Sequence, residues 1–346
     1  MNRLPDIKSM DEIELIDFIS SIGEKKFRAE QIYGWLHNKL VNSFEEMKNL
    51  SNTLKEKLRE NAYIPNIEIL DIKKSNDGTE KYLFELEDGQ AIETVLMTYK
   101  HGNSVCISSQ AGCRMGCKFC ASGINGLVRN LTPAEMLEQI YAVERASELP
   151  VSNIVVMGTG EPFDNYENLI KFIRIINSKN GKNIGQRNIT VSTCGIVPKI
   201  YDFADLHLGV NLAISLHAPN DEIRQSLMPI VNKYTYEELM GACDYYIKKT
   251  NRRITFEYSL IKGVNDSKDD AYILAGKLKG MLCHVNLIPM NKVEEKPYEK
   301  SEDKSIKLFK DVLDSKKITT TIRRSLGDDV DAACGQLRKT YSSRKS

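Results

Sequence analysis

The sequence lacks the features that mark several classes of protein. No apolar run approaches the roughly 18 residues of a membrane-spanning helix, so we expect a chain that crosses no membrane. The N-terminal segment MNRLPDIKSMDEIEL is rich in acids and has no apolar core of a secretory signal, which predicts a cytoplasmic location. No repeat of about 20 to 50 residues and no low-complexity segment is visible, which argues against solenoids and collagen-like chains.

An excess of charge of either sign is also missing. The chain has 48 basic and 47 acidic residues and a formal net charge of +1, so its total charge does not indicate a nucleic-acid binder. Two stretches nevertheless contain no acid, namely residues 94–134 and the C-terminal RKTYSSRKS. Such stretches can bind anions, although a chance gap and a solvated tail explain them equally well.

Composition and the spacing of apolar residues indicate an α/β protein with more than one part. The 346 residues are 41% hydrophobic and 27% charged, which is ordinary for a folded chain of about two domains. Residues 1–65 have helical spacing, with Ser51 as the predicted N-cap of a third helix, and should form a helical domain. Residues 66–100 alternate in polarity between turns, which predicts a small antiparallel β-meander beside the next domain.

Strand-like and helix-like segments alternate over residues 101–326, before a C-terminal segment at 327–346. This alternation builds parallel sheets covered by helices. About six βα units could close part of a barrel, and an open doubly wound sheet would give the same pattern. The predicted strands are VCISS, NIVVMG, NITVST, VNLAISL, ITFEYSL, HVNLIP and TTTIRR, and the predicted helices cover 132–148, 165–178, 235–249, 267–279 and 302–316.

The spacing of the cysteines points to an inorganic centre. Of eight cysteines, Cys113, Cys117 and Cys120 crowd into the glycine-rich segment SQAGCRMGCKFCASG, which has no acid to repel thiolates. Disulfide cross-links are not expected in a reducing compartment. Three cysteine ligands in one short loop suit an iron–sulfur cluster with one open iron. A zinc ion with Cys106 as fourth ligand, and chance crowding of cysteines, are the alternatives.

The cysteine motif, with Phe119 before its third cysteine, resembles that of the radical S-adenosylmethionine (SAM) enzymes. Further motifs, in order along the chain from about Phe27 to Arg338, resemble the RlmN/Cfr family and most closely its RlmN type of RNA methyltransferase. Two positions depart from the family's commoner residues, Thr159 in place of Met and Cys194 in place of Ser. The motifs are GLVRNLT, GTGEPFDNYENL, RNITVSTCGIVPKI, NLAISLHAPNDEIRQSLMPI, HVNLIPMN and DVDAACGQLR.

The resemblance implies a fold and a cofactor site. The fold would be a partial (βα)6 barrel with an N-terminal helical RNA-binding accessory domain. Cys113, Cys117 and Cys120 would ligate a [4Fe-4S] cluster, whose open iron would chelate the amino and carboxylate groups of SAM. Several of the residues implied in SAM binding follow predicted strands, so they would meet at one mouth of a barrel. They are Gly160, Glu161, Ser192, Ser215, Leu216, His217 and Asn291.

The resemblance also implies a mechanism that consumes two molecules of SAM per methylation. The first would methylate Cys334, and the second would accept an electron from the cluster and yield a 5′-deoxyadenosyl radical. That radical would take hydrogen from the methylcysteine, and the resulting methylene radical would add to C2 of adenine. Cys106 would form a transient disulfide with Cys334, and Glu93 would remove the C2 proton. By spacing alone, Cys334 would be read as an inert thiol and Glu93 as a solvent-facing strand residue.

The implied substrates are an adenosine of the peptidyl transferase centre in 23S rRNA and the adenosine 3′ of the anticodon in tRNA. A flavodoxin-type electron donor and a monomeric enzyme are also implied. Two alternatives stay open at this point: a Cfr-type enzyme that methylates C8 of the same rRNA adenosine, and a non-catalytic RNA-binding protein with structural zinc. The remaining cysteines, Cys194, Cys243 and Cys283, are expected to have no role.

Overall fold

A computed structural model provides the structure of the chain and describes residues 4–100, 102–291, 296–323 and 330. The helices in these ranges are α1 (Glu12–Ser21), α2 (Phe27–His37), α3 (Asn52–Asn61), α4 (Pro133–Ser147), α5 (Tyr166–Asn177), α6 (Val197–Asp205), α7 (Asp221–Leu227), α8 (Tyr236–Thr250), α9 (Lys268–Leu278) and α10 (Asp303–Ser315). The strands are β1 (Glu68–Lys74), β2 (Glu80–Glu85), β3 (Ala91–Tyr99), β4 (Gly102–Ile107), β5 (Gln110–Gly112), β6 (Leu127–Asn130), β7 (Val151–Val156), β8 (Ile189–Thr193), β9 (Asn211–Ser215), β10 (Ile254–Leu260), β11 (Cys283–Pro289) and β12 (Thr320–Ile322).

A ten-stranded sheet organises the molecule, in the order β1-β2-β3-β4-β7-β8-β9-β10-β11-β12. From β4 to β12 all neighbouring strands are parallel, and helices connect them. Six strand–helix units followed by a last strand therefore form the predicted α/β partial barrel. β4 pairs with β3 and β7, and β12 pairs with β11, so the described strands do not close into a ring.

The strands β1 to β3 form the predicted antiparallel meander and continue the barrel sheet at its β4 edge. β3 is antiparallel to β4, with Val95 opposite Cys106. Because directly opposed residues point to the same side of a sheet, Val95 of the meander and Cys106 of the first barrel strand share one face. The proposed boundaries of the four segments, 1–65, 66–100, 101–326 and 327–346, stay a prediction.

Each predicted helix has a counterpart in the structure, and several of the helix starts follow from capping chemistry. Thr132, Thr235 and Ser267 each accept a hydrogen bond from the third residue of the helix that follows, and that residue's carboxylate bonds back. These capping boxes satisfy backbone N–H groups that a helix start would leave unpaired. Ser51 caps α3 as predicted, through Leu54 N.

Some short elements of the structure are not predicted from the sequence, and one helix ends earlier than its apolar spacing predicts. The hairpin β5–β6 and the helices α6 and α7 were not predicted; they are three to nine residues long. The spacing of Phe27, Ile32, Leu36 and Leu40 predicts one helix that contains all four residues, but α2 ends at His37. Leu40 has φ of +58°, a left-handed conformation that cannot continue a helix.

The N-terminal helices pack firmly against the barrel through α4. Lys8 Nζ contacts Glu138 Oε1 at 2.5 Å, and both side chains are fully buried. His37 Nδ1 lies 3.1 Å from the hydroxyl of Tyr141. Within the described ranges, no helix has the length and apolar character needed to cross a membrane.

Candidate active site

A cavity of about 350 Å³ opens at the carboxyl ends of the parallel strands, where (βα) barrels bind their ligands. Residues from the cysteine loop, the meander and most of the barrel strands meet there. The predicted site residues that line it are Cys106, Cys113, Cys117, Cys120, Gly160, Glu161, Ser192, Ser215, His217 and Asn291.

The cysteine loop is held in place by backbone hydrogen bonds. Cys113 N donates to Gly126 O at 2.9 Å, beside the short hairpin β5–β6. Lys118 N donates to Leu227 O at 2.8 Å, which fixes the middle of the loop to the end of α7. The loop therefore presents its thiols from a wall that two separate parts of the barrel support.

The three loop thiols suit a charged multi-iron centre. Burial raises the pKa of Cys113 to about 11 and that of Cys117 still further, and the neighbouring thiols add to both shifts. Such thiols become thiolates when a metal centre supplies positive charge. Among the described residues, no three side chains of His, Cys, Asp or Glu converge on a position for a single metal ion. The [4Fe-4S] cube that the resemblance implies binds each cysteine to a different iron, so it does not require the three thiols to meet at one position.

The turn after β7 brings a glycine and a carboxylate to the cavity. Gly160 has φ of +109°, and a Cβ at this position would lie 2.6 Å from Gln110 Cβ. Glu161 is buried and accepts hydrogen bonds from Phe163 N at 3.0 Å and Cys194 N at 2.7 Å. Burial raises the pKa of Glu161, and these two N–H groups oppose the shift. The turn therefore offers a carboxylate with a fixed orientation to a cationic group in the cavity.

Polar groups at the ends of β8 and β9 are also fixed. Ser192 Oγ and Ser215 Oγ lie 3.3 Å apart. His217 Nδ1 accepts a hydrogen bond from Ser259 N at 2.9 Å, so the proton of the neutral ring is on Nε2. Burial lowers the pKa of His217 to about 3. The ring packs edge-on against that of Phe119, with the two ring centroids 4.9 Å apart. His217 is therefore a neutral hydrogen-bond donor at the cavity wall.

Two predicted SAM contacts differ from the rest. The side chain of Leu216 is fully buried in the core, and its backbone N and O bond to Glu257 O and Arg224 Nη1. Asn291 is exposed and lies at the rim of the cavity. The roles of both residues stay predictions.

Of the residues predicted for acid–base and thiol chemistry, Cys106 lines the cavity, whereas Glu93 lies on the neighbouring strand β3 and is not among the lining residues. Glu93 is only 5% exposed, so reading it as a solvent-facing residue is wrong. The Nζ of Lys81 lies 3.5 Å from Glu93 Oε1 in a pair that is almost fully buried. Cys106 lies on the neighbouring strand; burial raises the pKa of its thiol, while the charges of Arg323 and Lys81 oppose that shift. Cys334 lies outside the described residues.

Sequence reasoning missed several charged residues at or near the cavity. Glu257 and Arg323 line it, Lys81 pairs with Glu93, and Arg224 is buried beside the cysteine loop. A signal existed for Glu257, because it is an acid inside the apolar strand ITFEYSL. Cys194, to which no role was given, lines the cavity, whereas Cys243 and Cys283 are buried in the main core.

The arginines of the acid-free stretch 94–134 are paired with acids from other segments. Arg114 contacts Asp164, and Arg129 contacts both Asp88 and Glu135. The absence of acids in this part of the sequence therefore does not leave these two arginines unpaired in the fold.

Comparison with known proteins identifies the family of the chain. The family model of the radical SAM superfamily matches residues 107–274, and that of the ribosomal RNA large subunit methyltransferase N-terminal domain matches residues 5–64. The probable dual-specificity RNA methyltransferase RlmN of Lachnospira eligens is 57% identical over 98% of this chain and 97% of its own length. The protein of the same name from Clostridium novyi is 57% identical over 95% of this chain and 96% of its own length.

A solved structure is similar over the same extent. The crystal structure of a radical SAM methyltransferase from Sphaerobacter thermophilus matches with a TM-score of 0.92 and 43% identity. The match covers 96% of this chain and 98% of that one. Both family models match this chain, and a relative is 57% identical over 98% of it. The chain therefore belongs to the RlmN family of radical SAM RNA methyltransferases.

Proposed function

We propose that the enzyme methylates C2 of a specific adenosine in 23S rRNA and of the adenosine 3′ of the anticodon in tRNA. The observation that carries this proposal is the position of Cys106. Its thiol lines the same cavity as the three cluster cysteines and the SAM-binding turn, although it lies on a barrel strand outside the cysteine loop. A separate thiol is what a methylcysteine mechanism requires and an ordinary methyl transfer does not.

The cofactors supply the radical chemistry and the chain positions them. Cys113, Cys117 and Cys120 would hold the [4Fe-4S] cluster, which, with SAM bound, supplies a 5′-deoxyadenosyl radical by one-electron reduction. Glu161 would bind the ammonium group of SAM, and His217 would donate from Nε2. Val95, Met97 and Met157 line the cavity with apolar surface, which excludes water from a reactive radical.

The chain's own residues would then carry the methyl group and release the product. Cys334 would carry the methyl group on its sulfur as a thioether. After this methyl group has lost one hydrogen atom, its carbon forms the bond to C2 of the adenine. Glu93 takes the C2 proton, and the buried ammonium of Lys81 keeps its carboxylate beside the cavity face. Cys106 then attacks the sulfur of Cys334 as a thiolate, so that an S–S bond forms while the bond from that sulfur to the new carbon breaks. The released carbon takes a proton from water to complete the methyl group, and the one unpaired electron of the adduct would return to the oxidised cluster.

Adenine C2 lies between two ring nitrogens and is electron-poor, so it cannot displace a methyl group from a sulfonium. Attack by a carbon radical avoids this difficulty, which is why the cluster is needed.

The Cfr-type alternative would place the methyl group on C8 of the same rRNA adenosine. We further propose a cytoplasmic monomer that takes electrons from a flavodoxin-type donor and consumes two SAM per methylation.

Anaerobic reconstitution with 23S rRNA and with tRNA tests this function. Mass analysis of the nucleosides should find 2-methyladenosine in both RNAs. 8-Methyladenosine would favour the alternative, and unmethylated tRNA would limit the substrate to rRNA.

Two cysteine variants test the proposed path. Cys334→Ala should form no methylcysteine and no methylated RNA. Cys106→Ala should accumulate RNA bonded to Cys334, visible as a nuclease-sensitive shifted band on a denaturing gel. Cys243→Ala, in the buried core, is the control and should turn over normally. Normal turnover of Cys106→Ala would remove the resolving thiol from the mechanism.

A further inference from the structure

Arg224 is a buried cation to which the proposed mechanism gives no task. It lies on α7 and is only 1% exposed, although a guanidinium stays charged in proteins. Nη1 donates to Ser215 O at 3.0 Å and to Leu216 O at 2.5 Å, and Nη2 donates to Cys194 O at 2.5 Å. These hydrogen bonds join the carboxyl ends of β8 and β9.

The partners of this guanidinium, within the part of the chain that the structure describes, are carbonyl oxygens and not carboxylates. Its Nε has no hydrogen-bond partner there. Carbonyl dipoles solvate a buried cation but do not neutralise it, and an uncompensated buried charge is costly. These contacts therefore leave the buried charge of Arg224 without a hydrogen-bonded anion among the described residues.

The cysteine loop packs on the same part of the barrel. Leu227, one turn after Arg224, accepts the hydrogen bond from Lys118 N. Cys117 packs in one apolar cluster with Cys194 and Leu227. Since the guanidinium is bonded to the carbonyl of Cys194, its charge lies beside the wall that carries the Cys117 thiol.

We propose that Arg224 is a positioning residue that offsets the negative charge of the thiolate-bound cluster and thereby makes its reduction easier. The inference rests on the cluster of the proposed function. Reduction adds one electron from an external donor to a centre that three thiolates already make anionic. In a poorly hydrated site, a fixed cation stabilises that extra charge far more than the same cation in water.

The test uses the full-length protein with its cluster reconstituted anaerobically. Arg224→Gln and Arg224→Met remove the charge, and Arg224→Lys keeps it. Arg114→Gln is the matched control, since Arg114 lies in the cysteine loop itself but is 63% exposed and paired with Asp164. Electron paramagnetic resonance measures the ratio of reduced to oxidised cluster at controlled potentials, with dithionite as donor.

At the midpoint potential of the unsubstituted protein, we expect this ratio to fall about tenfold in Arg224→Gln and Arg224→Met. Arg224→Lys and Arg114→Gln should stay within about threefold. An unchanged ratio in the two neutral variants would overturn the inference. If the neutral variants fail to retain iron while Arg224→Lys retains it, charge is again the property that matters. Loss of iron from all three variants would show that the guanidinium shape matters instead, and would overturn the proposal.

The failure of the proposed function has a different signature. An unsubstituted protein that binds no iron–sulfur cluster would contradict the proposed function itself. If the protein binds the cluster and methylates RNA, but the reduction potential of the cluster does not change when Arg224 is substituted, only the inference on Arg224 is contradicted.

Discussion

Substitution of Glu93 best distinguishes the proposed catalysis from mere binding of RNA. It is buried beside Lys81, on the same sheet face as Val95 and Cys106. A buried carboxylate that keeps an ammonium partner can act as a base where water has little access. Glu93 is close enough for its charge to act on the thiol of Cys106, which lines the cavity.

Glu93→Gln should therefore form the RNA–protein adduct and then release it at least tenfold more slowly. An amide cannot take the C2 proton, so aromaticity cannot be restored. Quenched time points on denaturing gels would follow the adduct. Glu80→Gln is the control, because Glu80 lies on the adjacent strand in a more exposed pair with Lys74. Equal release rates for the two variants would exclude Glu93 as the base.

Single residues also show where sequence reasoning ends. The alternation along β3 predicts that Glu93 shares a face with Val95, but not that this face is covered. Arg224 is a charged residue near the end of a short helix, a pattern typical of a solvated surface. Its burial follows from packing between α7, the cysteine loop and two strand ends, which are far apart in sequence.

At the scale of elements, the prediction is strongest for the long periodic segments. The parallel strands and the helices α4, α5, α8, α9 and α10 stand out because burial on one or both faces sets their apolar pattern. The hairpin β5–β6 is not visible in this way, since its strands are three and four residues long. The site residues came from motifs, because geometry at a cavity has no sequence period.

The turn between β7 and α5 yields an element-scale prediction. In Gly160→Ala, the new Cβ would meet Gln110 Cβ at 2.6 Å and Gln110 N at 2.8 Å. The turn must shift, and Glu161 N loses its bond to Gln110 Oε1 at 2.8 Å. We expect SAM affinity, measured by equilibrium binding to the cluster-loaded protein, to fall at least tenfold.

Gly126→Ala is the control for this substitution. Gly126 also has a positive φ, +68°, but a Cβ there would meet nothing within 4 Å. Backbone strain of about 1 kcal/mol is then the expected cost, without a displaced turn. SAM affinity should stay within about threefold. If both alanines weakened SAM equally, strain rather than the contact with Gln110 would be responsible.

At the scale of the whole molecule, the N-terminal helices meet the barrel at an interface that buries ionisable groups. His37, at the end of α2, is fully buried against α4. Its ring lies 4.4 Å from that of Tyr33 and bonds to Tyr141, and the buried pair of Lys8 and Glu138 is close by. Burial, with the charge of Lys8, lowers the pKa of His37 from 6.5 to about 3.

The sign of the resulting pH dependence follows from proton binding. Below pH 6.5 the unfolded chain protonates His37, whereas the folded chain does not until about pH 3. The unfolded state therefore binds more protons in this range, and stability falls as the pH falls from about 6.5 towards 3. His217 shifts in the same direction, so the effect of His37 must be isolated by substitution.

We expect His37→Gln to make the stability of the cluster-free protein less dependent on pH. A histidine with this shift removes about 2 kcal/mol of unfolding free energy between pH 7 and pH 5, and glutamine does not titrate. Urea unfolding at both pH values would give the difference. His207→Asn is the control, because His207 is exposed and asparagine accepts its left-handed φ of +49°. If the pH dependence of His37→Gln equals that of the control, the burial of His37 does not contribute to the loss of stability in acid.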